Sequence, residues 1–82
     1  MQPIDAKQIP AEQKIFNSAW MIVKCYHGIS ERTSDDEMEK LKRDLLEIHK
    51  SGTNQSNAVD QLARNMTYTL IHYLDALSAE NS

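Results

Sequence analysis

Two short polar breaks divide the chain, and they constrain its fold more than any other feature. The first, "ISERTSDDE", follows Gly28; the second, "KSGTNQSN", surrounds Gly52. Between and beyond them, apolar residues recur at intervals of three and four, the period of one helix face. In the first segment the stripe is Ile15, Phe16, Ala19, Ile22, Val23 and Tyr26. In the second it is Met38, Leu41, Leu45 and Ile48. In the third it is Val59, Leu62, Ala63, Met66, Leu70, Tyr73, Leu74 and Leu77.

Local chemistry sets the boundaries. Pro10 suits a first helical turn, where its missing N–H costs nothing. Gly28 and Gly52 each stand where a helix commonly ends on a left-handed residue. Ser34 followed by Glu37 has the capping-box spacing, and Asp35 and Asp36 suit the positive end of a helix dipole. Ser56 or a neighbour caps the third helix. The spacing predicts helices over about 10–27, 35–50 and 57–79, with Glu39 and Arg43 paired at i,i+4 on the second. Short connections make successive helices antiparallel. The expected fold is all-α, a three-helix antiparallel bundle. Residues 1–9 read as a flexible lead-in and 10–82 as a single helical domain.

Composition agrees. An 82-residue chain buries only about 60–65% of the surface it exposes when unfolded, enough for one modest core. Two Gly and two Pro leave little turn chemistry for a many-stranded fold. The net charge of −3 argues against nucleic acid, whose phosphates call for a basic stripe. Lys40, Lys42 and Arg43 could form a local basic patch, but a solvated helix face explains them more simply. The single cysteine, Cys25, excludes an internal disulfide. The N-terminal ten residues lack an apolar signal core, and no run approaches the ~18 apolar residues of a membrane span. The expected location is the cytoplasm. "NMT" at Asn65–Thr67 matches a glycosylation sequon but falls mid-helix.

Catalytic and metal chemistry find little purchase. Cys25, His27, His49 and His72 are the soft ligands. In an up-down-up bundle Cys25, His27 and His72 could approach one another. However, Cys25 and His27 point about 200° apart on a helix, and the spacing is not that of a zinc site. The same angle keeps Cys25 and His27 from forming a nucleophile–base pair. The acidic run Asp35–Glu37 lacks the alternating ligands and glycine of a calcium loop. No glycine-rich phosphate cradle occurs. The expectation is a protein that is not an enzyme and holds no cofactor and no metal. A helix-turn-helix reading would place Asn57, Asp60, Gln61 and Arg64 at the start of a recognition helix. One basic residue against Asp60 in the first turn makes it a distant alternative.

Phe16, Trp20, Lys24 and Tyr26, followed by "SDDEMEKLKRDLLEIHK" from Ser34 to Lys50, resemble small, uncharacterised helical proteins of Gram-positive bacteria and their phages. The resemblance covers about half of the chain. It departs at Met38, where a second aromatic residue would be expected. It implies an accessory or mobile-element protein and carries over no activity or site.

Several large apolar residues fall off the three stripes. Trp20 lies at the edge of the first, while Met21 and Cys25 lie on its far side. Leu46 flanks the second. Ile71 flanks the third, and Tyr68 points nearly opposite it. Trp20 and Leu46 have an ordinary role in covering seams between helices. Met21 beside Cys25, and Tyr68 beside Ile71, begin patches of the kind that mark partners. The function expected from the sequence is a small protein–protein interaction module, a regulator or inhibitor of a partner. Its expected contact residues are Trp20, Met21, Tyr68 and Ile71. The alternative is a homodimer with a structural or scaffolding role, in which the same residues form the seam.

Overall fold

The computed structural model describes residues 9–82, with the side chains from Pro10 onward. It contains three helices: α1 (Ile9–Cys25), α2 (Asp35–Ser51) and α3 (Asn57–Glu80). Each packs against both others, and successive helices run antiparallel. α1 and α3 therefore run parallel, with their C-terminal ends side by side. There Asn81 Nδ2 donates to the carbonyls of His27 at 3.2 Å and Ile29 at 2.8 Å. The Glu31 N–H donates to Ser82 Oγ at 3.1 Å.

Helix starts follow the local signals. The Ser34 hydroxyl accepts from the Glu37 N–H, and the Ser56 hydroxyl accepts from the Val59 N–H, both at 3.2 Å. Each satisfies one of the donors that a helix N-terminus leaves without an internal partner. Helix ends depart from expectation. α1 stops at Cys25 rather than residue 27, and Ile9 belongs to the helix rather than to the lead-in, whose other residues lie outside the described ones. Neither glycine adopts the left-handed conformation. Gly52 is the C-cap of α2 with φ −85°, and its N–H bonds to Lys50 O. Asn54 takes the left-handed position instead, with φ 67°, which its short polar side chain tolerates. Gly52 is required for another reason. A Cβ there would stand 2.6 Å from Asp60 Cα, where α3 crosses the end of α2. At Gly28 a Cβ would meet nothing.

The core runs along the bundle axis. Ile15, Ala19 and Ile22 enter it from α1, with Tyr26 just past its end; Leu41, Leu45 and Ile48 from α2; Val59, Ala63, Leu70, Leu74 and Leu77 from α3. Ile29, in the stretch read as a polar connection, is also buried. Thr67 is the buried polar residue of α3; its hydroxyl donates to the Ala63 carbonyl at 2.8 Å, so burial leaves no polar atom unsatisfied. Val23, Met38, Leu62 and Met66 are partly buried against the core.

Two members of the expected core stripes are not in the core. Phe16 is 55% exposed and Tyr73 is 40% exposed. Each sits at the edge of its stripe, and the neighbouring helix does not reach far enough to cover it. The expected Glu39–Arg43 pair is also replaced. Glu39 pairs with Lys42 at 3.3 Å across i,i+3, both fully in solvent's reach, where such a pair contributes little.

Candidate interaction surface

Advancing about 100° per residue from the buried stripe sorts the exposed side chains by sector. The clefts between helices identify each sector's neighbour. Met21, with Cys25, lines a cleft of about 440 Å³ between α1 and α2, opposite Asp44 and Glu47. Ile71 and His72 line a larger cleft of about 720 Å³ between α2 and α3, floored by Met38, Leu41, Leu45 and Leu74. Tyr68 lies one turn before Ile71 on the same flank of α3. Phe16 and Trp20 occupy the opposite flank of α1, toward α3. Tyr73 occupies the flank of α3 toward α1.

All four expected contact residues are therefore on the surface: Trp20 59% exposed, Met21 51%, Tyr68 59% and Ile71 44%. They do not form one patch. Trp20 faces the α1–α3 side, Met21 the α1–α2 cleft and Ile71 the α2–α3 cleft, while Tyr68, one turn before Ile71, lies outside that cleft's walls. On the α1–α3 side one of them shares its sector with two residues that the periodicity assigned to the core. Phe16, Trp20 and Tyr73 are exposed there, and by the same angles the partly buried Val23, Leu62 and Met66 fall on the same flanks. Trp20 is held in place by Lys24, whose Nζ lies 5.8 Å from the ring centroid, within range of a cation–π attraction.

Charge sharpens the contrast between the sectors. The charged residues of α3 before its last turn are Asp60, Arg64 and Asp75, and all three fall on the α2 side. Arg64 Nε bonds Asp60 Oδ2 at 3.0 Å, so the one cation of the helix-turn-helix reading is already engaged within its own helix. The α1 side of α3 carries Ala58, Leu62, Asn65, Met66, Thr69, Tyr73 and Ala76, with no charge for five turns. The signal for this face was present in the sequence as the charge-free run Asn65–Leu74. The α2–α3 cleft differs: Glu31, Asp35 and Asp75 outnumber Lys42 along its walls.

One internal polar link joins α1 to α2. The buried Tyr26 hydroxyl donates to Asp44 Oδ2 at 2.7 Å. Burial first, and then that hydrogen bond and the Asp44 charge, hold the phenol's proton well above its ordinary range. Cys25 and His72, which the topology could have brought together, line different clefts. Among the described residues, no group of three or more His, Cys, Asp or Glu side chains is placed to hold a metal ion. Among them, no helix is long and apolar enough to cross a membrane. Comparison with protein-family models, curated proteins and solved structures returns no match.

Proposed function

We propose that this protein is an interaction module of the cytoplasm, of the accessory or mobile-element type, which regulates a partner protein by docking on it. One observation carries the reading. Among the described residues seven large hydrophobic side chains are exposed, and six of them belong to α1 and α3. Solvation alone gives no reason to concentrate aromatic side chains on two helices of a bundle whose third helix is coated in charge. The α2–α3 cleft suits the foreign partner. Its apolar floor, with Ile71 at its edge and Tyr68 beside it, would accept the anchors of an amphipathic helix. Its acidic rim favours a partner that carries Lys or Arg beside those anchors.

Capture from extracts of the native cell tests this reading. The wild-type chain is compared with Ile71→Asp, Tyr68→Ala and Lys40→Ala as baits. A partner retained by wild type and Lys40→Ala and lost with Ile71→Asp is the expected result. Retention of the same proteins by all four baits would remove the cleft from the account. Self-association is the second reading, favoured by the α1–α3 side, whose α3 flank carries no charge and which is separate from the cleft.

A further inference from the structure

We infer that the α1–α3 side is the seam of a two-fold symmetric dimer in which α1 of one copy lies antiparallel on α1 of the other. The inference rests on the self-association reading and gives it a geometry. The first argument is register. A two-fold axis crossing α1 at the level of Ser18 brings Phe16 onto the partner's Trp20, and Trp20 onto the partner's Phe16. The same axis brings Glu12 to the partner's Lys24, because residues 12 and 24 are as evenly placed about residue 18 as residues 16 and 20 are. Both residues are accessible: Glu12 is half-buried and Lys24 exposed. They lie about 18 Å apart along one helix, so neither reaches the other within a copy. One operation therefore matches the aromatic pair and the charged pair together, as an isologous interface requires.

The second argument is the position of Tyr73. Asn81 is tied to His27 and Ile29, so Tyr73, eight residues earlier, is about level with residue 20 of α1. That puts it close to the same axis, facing its own counterpart across the charge-free flank of α3. The third argument is size. α1 is 17 residues long, or about 25 Å, and two helices side by side span about 20 Å. That footprint of about 500 Å² per partner, about 1,000 Å² in total, reaches the size at which specific interfaces begin. An aromatic centre with charges only at its ends is the usual anatomy of such a seam.

Sedimentation equilibrium on a charge-swap series tests the arrangement, with circular dichroism confirming that each variant stays helical. Wild type is expected to dimerise, and Trp20→Ala to weaken the dimer about 100-fold or more. Glu12→Lys and Lys24→Glu alone should each weaken it about 10-fold, because each breaks two symmetry-related pairs. The double variant, Glu12→Lys with Lys24→Glu, should bind at least about three-fold more tightly than Lys24→Glu alone, because swapping both signs restores both pairs while the Lys24–Trp20 contact stays lost. A wild-type chain that stays monomeric would overturn self-association altogether. A dimer that ignores Trp20→Ala, or whose double charge swap binds no more tightly than Lys24→Glu alone, would overturn this arrangement and leave self-association standing.

Discussion

α1 and α2 have the same length, 17 residues each, and turn comparable apolar stripes inward. Their outer faces have almost nothing in common. Ten residues of α2 are charged: Asp35, Asp36, Glu37, Glu39, Lys40, Lys42, Arg43, Asp44, Glu47 and Lys50. Its only large exposed hydrophobic residue is Leu46. α1 has three charges, Glu12, Lys14 and Lys24, and exposes Phe16, Trp20 and Met21. Holding the bundle together places the same demand on both helices, and both meet it. The difference lies wholly on the outside, where stability asks for little. On the proposed reading, water covers the outside of α2 and an apolar surface covers that of α1.

The comparison predicts that inward truncations weigh equally and outward ones do not. Ile15 on α1 and Ile48 on α2 are both completely buried. Replacing either with alanine should cost about 2–5 kcal/mol in urea unfolding, and the two losses should match to within about 1 kcal/mol. A markedly smaller loss for Ile15→Ala would mean that α1 is held less firmly than α2, and that its exposed face reflects loose packing.

The ends of the two helices give the next largest effect. Gly52→Ala forces a methyl group against the α3 backbone at Asp60 and should cost about 1–3 kcal/mol. Gly28→Ala meets open space and should be neutral, or stabilise by up to about 1 kcal/mol through the unfolded chain. Thermal melts of the two variants decide this. Equal effects would mean that α3 does not press on the end of α2.

The link between the helices comes third. Tyr26→Phe should cost about 1–2 kcal/mol near neutral pH by removing the hydrogen bond to Asp44. Its pH dependence has a definite sign. The phenol holds its proton more tightly in the folded chain than in the unfolded one. Its contribution is therefore complete below the ordinary tyrosine range near pH 10 and falls as pH rises from there toward the higher folded value. The gap between wild type and Tyr26→Phe should narrow above about pH 10 and stay constant from about pH 6 to 9. A gap that widens with alkali would contradict the assignment.

The smallest stability effects belong to the outer faces themselves. At concentrations low enough to keep the chain monomeric, Trp20→Gln on α1 and Arg43→Gln on α2 should each shift unfolding by no more than about 0.5 kcal/mol. Only Trp20→Gln should change how readily the protein associates.

What could be read from the sequence depended on how local its cause was. Ser34 and Ser56 were legible as caps because a capping hydroxyl bonds a donor three residues away. The buried aliphatic residues were legible because a helix repeats its inward face regularly. Where two chain segments meet, the sequence was silent. Gly52 is fixed by Asp60, and Ile29 is buried only because the C-terminal end of α3 lies beside the α1–α2 connection. Thr67 carried no apolar signal, yet its bond to Ala63 O lets it enter the core. Phe16 and Tyr73 show the limit of periodicity most clearly. A helical wheel gives the angle of a side chain, whereas burial depends on how much of that angle two neighbouring helices cover. The same angles put Met21, Tyr68 and Ile71 off the core stripes and Trp20 at a stripe's edge, but their division among the sides of the bundle requires knowing which helix borders which.

The account holds that the outside of α1 is covered by a second copy of the chain, and Trp20 can report on this directly. It is the sole tryptophan of the chain and is 59% exposed in a single copy. Acrylamide quenching of its fluorescence, measured from nanomolar to near-millimolar protein, follows that exposure without any label. The account predicts quenching typical of an accessible indole at the lowest concentrations, falling as copies pair, with a blue-shifted emission that Phe16→Ala abolishes. Trp20 remaining equally accessible to quencher over the whole range would contradict it.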